Sequence, residues 1–223
     1  MKIDFKHEQF IKKLFCGVNE KELTETEKLI FNEFEKLNLL TDLVVKKLKL
    51  GDFSLAMDIL DNELGKERKR DSKFLMKKFQ ENSDLFIGVY LGGELVGVVC
   101  GFPREDYLLM SEIAVDFRFQ RRKFGEKLVK EFEKICFEKY DKINVGALDD
   151  AIEFYKSLNY KLFLLIQFEK GVYKKDDFSN FDIISIKDYG IELDLKEYSL
   201  EKLNELRKVY SKASLQYIFT KRK

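Results

Sequence analysis

A short basic turn lies in the middle of the chain, between an apolar segment and the start of a helical pattern. The residues from Ser111 to Gly125 read SEIAVDFRFQRRKFG. A strand that turns directly into a helix presents backbone N–H groups and the positive end of the helix dipole, which together can bind a phosphate or diphosphate. Arg121, Arg122 and Lys123 add positive charge beside those groups. The turn is therefore predicted to be an anion site. The alternative is a surface turn whose arginines are only solvated.

Two motifs, in order along the chain, resemble the GNAT superfamily of N-acetyltransferases. Residues 111–128 are similar to its motif A, Q/R-x-x-G-x-G/A after a strand, with Gln120 and Gly125 at matching positions. Residues 151–160 read AIEFYKSLNY and are similar to its motif B, A-x-x-[FL]-Y-x-x-x-G-[FY], at the expected spacing. The resemblance covers residues 43–168. Two motifs in the expected order are stronger evidence for it than either motif alone.

The resemblance implies acetyl-CoA as the acyl donor, with no metal, and an amine of a small molecule or a protein as the acceptor. It places the diphosphate of the coenzyme on the backbone amides between Gln120 and Gly125. The pantetheine arm is expected where the strands near Val115 and Val145 separate, bonded like an added strand. The residues implied to contact the coenzyme are Ile113, Ala114, Val115, Gln120, Arg121, Arg122, Lys123, Phe124, Gly125 and Glu126.

Two residues are candidates for proton transfer. In many members of the superfamily a tyrosine at the position of Tyr155 gives a proton to the departing thiolate, so the resemblance implies a general acid there. The alternative is an aromatic side chain that only packs. Glu112 is the nearest acidic residue that could help an attacking amine to lose its proton. The alternative for Glu112 is a carboxylate at the rim or in an ion pair.

The chain departs from both motifs. Lys123 stands where motif A has its first glycine, which costs on the order of 1 kcal/mol if this residue is left-handed. Either the turn is right-handed there, or affinity for the coenzyme is reduced. In motif B, Leu148 replaces a frequent asparagine, and Asn159 replaces a glycine but accepts left-handed conformations. These departures leave open a catalytically silent module of the same fold that binds acyl-CoA as a sensor.

The bulk composition limits the class of protein. Lys and Arg total 41 against 40 for Asp and Glu, so the general attraction typical of a nucleic-acid binder is missing. A further possibility is that the helical first forty residues and the basic run 66–78 contact a nucleic acid or a partner protein. Three cysteines without a C-x-x-C pair favour a reducing cytoplasm. No apolar run approaches the roughly 18 to 20 residues of a membrane span, so no membrane association is expected.

Apolar periodicity predicts an α+β fold. Helices are expected within 7–40 and at 53–64, 66–78, 125–140, 150–158 and 199–212, and strands at 43–50, 85–90, 94–101, 107–115, 143–147, 160–168, 189–195 and 213–220. The helix at 66–78 is basic and amphipathic, and the alternative for its charged residues is a solvated helix face. This order resembles the three-layer α/β/α acyl-CoA N-acyltransferase fold, with a mixed, mostly antiparallel sheet. The predicted domains are a helical extension (1–42), a GNAT-like domain (43–170) and a small β-α-β appendage (171–223). The two ends could cap the sheet or pair subunits in a homodimer.

Overall fold

The computed structural model describes residues 43–65, 70–147, 149–168, 182–187, 190–194, 200–211 and 213–223. The predicted N-terminal helices and the first four residues of the basic run lie outside the described residues. The described part of the chain divides into two compact units: one from the described residues up to Phe102 with Glu112–Glu138, and one from Pro103–Ser111 with the described residues from Lys139 onward. None of the helices in these described ranges is long and apolar enough to cross a membrane.

The described residues form nine strands and five α-helices. The strands are β1 (Leu43–Lys47), β2 (Phe86–Leu91), β3 (Glu94–Pro103), β4 (Leu108–Val115), β5 (Lys142–Ala147), β6 (Lys161–Gln167), β7 (Asp182–Lys187), β8 (Gly190–Asp194) and β9 (Ser214–Arg222). The helices are α1 (Phe53–Leu64), α2 (Ser72–Glu81), α3 (Phe124–Cys136), α4 (Ile152–Ser157) and α5 (Leu200–Val209). The predicted elements within the described ranges are present, and β7 was not predicted.

Strands β1, β2 and β3 of the first unit form an antiparallel meander. Leu43 pairs with Leu91 in β1 and β2, and Phe86 pairs with Cys100 in β2 and β3. The predicted hairpin between β2 and β3 is confirmed: Gly92 and Gly93 have φ angles of 57° and 86°, which glycine adopts without steric cost. The last residues of β4 follow β3 in the sheet.

Helices cover both faces of the sheet in the first unit, as the three-layer prediction required. α1 and α2 bury Ala56, Leu60 and Phe79 in one apolar cluster with Phe86 and Cys100 of the strands. The intervening strand side chains, which alternate to the opposite face, are also buried. α3 packs against β1 and β2 and covers that face with the buried side chains Leu128, Val129, Phe132 and Cys136.

The second unit joins a parallel pair of strands to an antiparallel set. Leu108–Met110 of β4 pair in parallel with Ile143–Val145 of β5, which confirms the predicted crossover. β5 then pairs with β9, β9 with β6, β6 with β8, and β8 with β7, all antiparallel. The boundaries after residues 42 and 170 stay predictions. Within this unit, however, β9 is an internal strand rather than a cap at the edge.

Candidate active site

The turn that follows β4 is tied down at its first residue. The Asp116 backbone N–H donates to the Val96 carbonyl of β3 at 2.9 Å. The Asp116 carboxylate in turn accepts a hydrogen bond from the Arg118 backbone N–H at 3.0 Å, so it caps the 3₁₀ turn Phe117–Phe119. Phe117 is 71% exposed and contributes little to the core. The turn therefore starts from a fixed point on the sheet.

Two non-glycine residues of the turn are left-handed. Arg121 has a φ of 61°, and Lys123 has a φ of 61° and a ψ of 16°. The sequence left open whether the backbone at Lys123 is left- or right-handed, and the structure gives the left-handed form. A side chain in this region costs roughly 1 to 2 kcal/mol per residue. Strained backbone of this kind is typically found at ligand sites, where the rest of the structure fixes it.

The start of α3 presents backbone donors that the helix itself does not use. The Lys127 N–H donates to the Lys123 carbonyl at 3.1 Å, which is the first hydrogen bond of the helical series. The amides of Phe124, Gly125 and Glu126 precede it, so helix geometry gives them no carbonyl acceptor. The Phe124 side chain is buried and anchors the helix start in the core. The structure thus provides the donors that the sequence predicted for an anion.

The basic side chains of the turn are divided between internal pairing and the helix start. Arg118 donates to Asp116 at 2.6 Å and to Glu94 at 3.2 Å. The hydrogen bonds from Arg118 hold the pKa of Asp116 below its ordinary value, and those carboxylates raise the pKa of Arg118. The positive charges of Arg121, Arg122 and Lys123 lie closer along the chain to the amides of α3. The guanidinium of Arg122 stacks over Phe119, 5.6 Å from the ring centroid.

The first turn of α3 also carries a carboxylate. Glu126 accepts a hydrogen bond from Lys130 at 2.5 Å. This bond is the main reason that the pKa of Glu126 lies below its ordinary value. A negative charge here interacts favourably with the helix dipole but competes with a bound anion, and Lys130 partly neutralises it. Glu126 therefore lies in the first turn of α3, where its backbone amide is one of the donors at the helix start.

Gln120 connects the turn to two other elements. Its side-chain Nε2 donates to the Val115 carbonyl at 3.0 Å and to Glu63 at 2.8 Å. Glu63 belongs to α1, and its other oxygen accepts from the Phe117 N–H at 2.9 Å. Sequence reasoning missed Glu63, because nothing in the pattern of α1 distinguishes this residue from other surface acids of the helix.

Alternation along β4 separates the predicted residues onto two faces. Glu112 and Ala114 lie on the face of α1 and α2, where Ala114 is buried in the apolar cluster. Ile113 and Val115 lie on the opposite face and are half-buried. They follow the stretch Leu108–Met110, which pairs with β5.

Glu112 is held in a buried ion pair. Its Oε2 accepts a hydrogen bond from Arg70 Nε at 2.8 Å, and Arg70 also bonds to Asp61. The side chains of Arg70 and Glu112 are 6% and 13% exposed. Burial opposes the charged form of Arg70, but the hydrogen bonds that Arg70 donates to Glu112 and Asp61 outweigh this effect and raise the pKa of Arg70. Arg70, which the sequence assigned to a basic run, is thus an internal residue rather than part of a solvated face.

Tyr155 lies in the second unit and is almost fully buried. Its side chain is 3% exposed and stacks on Phe219 with ring centroids 5.2 Å apart. Burial raises the pKa of the Tyr155 hydroxyl. The phenol therefore stays protonated at neutral pH, as a proton donor requires. Asn159 has a φ of 63°, so the left-handed conformation expected at this departure from motif B is confirmed. Leu148 lies outside the described residues.

Other reactive groups in the described ranges are not arranged as a site. Cys100 and Cys136 are free and buried, and burial raises the pKa of both thiols, that of Cys136 to about 12. Within these ranges no three side chains of His, Cys, Asp or Glu are grouped so that they could hold a metal ion.

Comparison with solved structures gives several similar folds. Ard1 from Thermoplasma volcanium is 17% identical, with a TM-score of 0.48 over 69% of this chain and 99% of that chain. A GNAT family acetyltransferase from Elizabethkingia anophelis, solved with acetyl-CoA bound, is 13% identical, with a TM-score of 0.48 over 82% and 99%. A protein from Pyrococcus horikoshii is 16% identical, with a TM-score of 0.45 over 59% of this chain. This chain spans about half of that relative, 49% of its length.

A family is indicated by a sequence match over part of the chain. Comparison with curated proteins gives no match. Residues 53–160, however, match the family model described as the acetyltransferase (GNAT) family. The matched range contains both the basic turn at the start of α3 and the Tyr155 helix, on a sheet with the expected α+β order. The chain therefore carries a GNAT acetyltransferase domain over residues 53–160.

Proposed function

We propose that this protein is an N-acetyltransferase that moves the acetyl group of acetyl-CoA directly to an amine of a small molecule or a protein. The observation that carries the proposal is the start of α3, where the amides of Phe124, Gly125 and Glu126 have no helical acceptor. Basic residues precede these amides, and the left-handed backbone at Arg121 and Lys123 shapes the turn. A diphosphate suits such a group of donors.

The backbone of β4 supports a second part of the coenzyme site. Ile113 and Val115 follow the stretch of β4 that pairs with β5, and an extended pantetheine arm can bond to strand backbone as an added strand does. Ala114 lies between them, and its buried side chain fixes the orientation of both neighbours. The Val115 carbonyl already accepts from Gln120, but a carbonyl oxygen has a second lone pair for a ligand.

The transfer requires two proton movements. The neutral amine attacks the thioester carbonyl carbon, a C–N bond forms and the C–S bond breaks. The nitrogen loses one proton, and the departing thiolate gains one. Tyr155 is proposed as the donor to the sulfur, because burial keeps its hydroxyl protonated. Glu112 is proposed as the acceptor of the proton from the amine. Arg70 occupies its Oε2, so Oε1 would have this role.

The proposed test follows release of free CoA thiol from acetyl-CoA with a panel of small amines, polyamines and peptides. Binding is measured in parallel by calorimetry with CoA. Arg121→Gln is expected to weaken CoA binding, whereas Lys127→Gln, an exposed lysine one helical turn later, serves as the matched control. CoA binding without thiol release from any acceptor would support the catalytically silent sensor instead. Failure of CoA to bind would overturn the site.

The cellular compartment, the partners and the oligomeric state of the protein are also proposals. Free, buried cysteines are compatible with a reducing cytoplasm, where we place the protein. Its partners are expected to be an amine acceptor and the coenzyme rather than nucleic acid, since the charges balance. A homodimer stays a hypothesis, which the mass of the protein in solution tests.

A further inference from the structure

The carboxylate of Glu63 accepts hydrogen bonds from two donors in the coenzyme turn, the segment between β4 and α3 (residues 116–123). Its Oε1 accepts the backbone N–H of Phe117 at 2.9 Å, and its Oε2 accepts the side-chain Nε2–H of Gln120 at 2.8 Å. The first donor is on the first residue of the 3₁₀ turn Phe117–Phe119 and the second is on the residue that follows the turn, so the carboxylate bridges the two ends of that turn. Neither donor is charged, and a carboxylate that accepts hydrogen bonds makes stronger bonds than a neutral acceptor.

The position of Glu63 within α1 is unfavourable for a negative charge. Glu63 lies in the last turn of α1, where the helix dipole disfavours a negative charge, and this turn contains no basic residue. The helix ends directly afterwards at Gly65, which has a φ of 93°. Hydrogen bonds to the coenzyme turn therefore offset an otherwise unfavourable position.

The contacts of Glu63 fix the backbone immediately before the left-handed residues. Gln120 also donates to the Val115 carbonyl at 3.0 Å, so α1, the end of β4 and the turn share one hydrogen-bonded group. The next residue is Arg121, with its φ of 61°. A strained backbone persists only where neighbouring contacts determine it, and Glu63 supplies two such contacts from another helix.

We infer that Glu63 is a positioning residue, which shapes the turn so that the amides at the start of α3 converge before the coenzyme arrives. Preorganised donors bind an anion more tightly than donors that must first be ordered. The inference rests on the proposed coenzyme site, since it assigns Glu63 to the diphosphate part of that site. It also predicts that the benefit of the ordered turn exceeds the repulsion between this carboxylate and the diphosphate.

The test compares CoA with pantetheine, which has the same thiol arm but no diphosphate. Glu63→Ala removes both acceptor oxygens and is expected to weaken CoA binding about tenfold, as the loss of one or two hydrogen bonds would. Glu63→Gln keeps one acceptor oxygen and is expected to weaken it about threefold. Calorimetry measures CoA, and titration followed by NMR measures pantetheine, whose dissociation constant is expected to stay within a factor of two.

The control is Asp58→Ala, which removes an exposed carboxylate from the same helix and is expected to leave both dissociation constants unchanged. CoA affinity that is unchanged or higher in Glu63→Ala overturns the inference while the proposed function stands. An equal loss for CoA and pantetheine also overturns it, because that result indicates a general structural role. Failure of the unmodified protein to bind CoA overturns both the inference and the proposed site.

Discussion

Lys123 adopts a left-handed backbone at the start of α3 although its Cβ disfavours that conformation. Motif A has a glycine here, and glycine adopts a positive φ at no steric cost. Lys123 therefore takes a backbone conformation that glycine adopts freely, and the side chain raises the energy of forming the turn. The ammonium of Lys123 can offset part of this cost only when an anion is bound, so the unliganded protein retains the strain.

We expect Lys123→Gly to stabilise the unliganded protein by roughly 1 kcal/mol, because glycine removes the left-handed penalty. The free energy of unfolding in urea measures this change. Lys127→Gly is the matched control, since it makes the same replacement at an exposed position inside α3. There glycine should destabilise the protein by about 1 kcal/mol. Destabilisation by both variants would contradict the interpretation of the turn as strained.

The proton donor gives a second prediction at this scale. Tyr155→Phe should lower turnover roughly 10²-fold and leave CoA binding unchanged, because only the hydroxyl is lost. Tyr160→Phe removes a hydroxyl from the neighbouring ring, 5.6 Å away between centroids, and is the control. A general acid acts below its pKa. Burial raises the pKa of Tyr155 above the ordinary 10.0, so Tyr155 stays protonated as the pH rises to about 10. Deprotonation of Tyr155 should therefore not reduce turnover in this pH range. Unchanged turnover in Tyr155→Phe would remove this role.

The sequence predicted residues whose role depends on their neighbours in the chain. Asn159 could be expected to be left-handed, because motif B has a glycine at this position and such a glycine indicates a positive φ. Glu63 and Arg70 could not be found in this way, since their partners lie in distant segments and acids and bases are frequent throughout the chain. The state of Lys123 was open for a similar reason: its conformation depends on whether surrounding contacts can hold a strained turn.

Three elements of the first unit meet at one internal guanidinium. Arg70, just before α2, bonds to Asp61 of α1 and to Glu112 of β4. The helices and strands themselves were predictable from apolar periodicity, with α1 found at Phe53–Leu64 as expected. The ion pairs of Arg70 with Asp61 and Glu112 were not predictable, because the basic run around Arg70 has the composition of a solvated surface. One Arg70 nitrogen, Nη2, is buried without a hydrogen-bond partner, which adds to the cost of the arrangement.

We expect Arg70→Met to destabilise the protein by about 3 kcal/mol or more, because it leaves the Glu112 carboxylate buried without its cation. The double variant Arg70→Met/Glu112→Gln should recover most of this loss, since no buried charge then remains. Asp61→Asn is the control: its side chain is 42% exposed, so its loss should cost at most about 1 kcal/mol. Urea unfolding of the unmodified protein, Arg70→Met, Glu112→Gln and the double variant gives the coupling energy between the two residues. Additive effects of the two buried substitutions would contradict the pairing.

At the scale of the whole chain, the C-terminal strand is the last in the sequence but an internal strand of the sheet. The strand–helix–strand order after residue 189 was predicted, and β8, α5 and β9 are present. Sequence order alone, however, placed β9 after the GNAT-like domain. Pairing partners are long-range and leave no local pattern, so the insertion of β9 between β5 and β6 could not be predicted.

The pairing of β9 on both edges makes it essential for the second unit. Ala147 of β5 pairs with Tyr217, and Phe163 of β6 pairs with Ile218. Thr220 Oγ1 donates to Asn144 Oδ1 at 2.8 Å, so β9 also supplies the hydrogen-bond partner of the buried Asn144 side chain. The buried side chain of Phe219 forms the ring stack with Tyr155. Unlike an edge strand, β9 cannot be removed without leaving two neighbours unpaired.

We expect deletion of residues 214–223 to abolish cooperative unfolding of the second unit, because β5 and β6 would each lose a hydrogen-bonded partner. Circular dichroism and thermal unfolding measure this loss.

Phe219→Ala keeps the strand and should cost roughly 3 to 5 kcal/mol, since it empties a fully buried ring site beside Tyr155. Val209→Ala changes a side chain that is 70% exposed and should change stability by less than about 0.5 kcal/mol. A truncated protein with unchanged unfolding, or Phe219→Ala as mild as Val209→Ala, would show that β9 is peripheral after all.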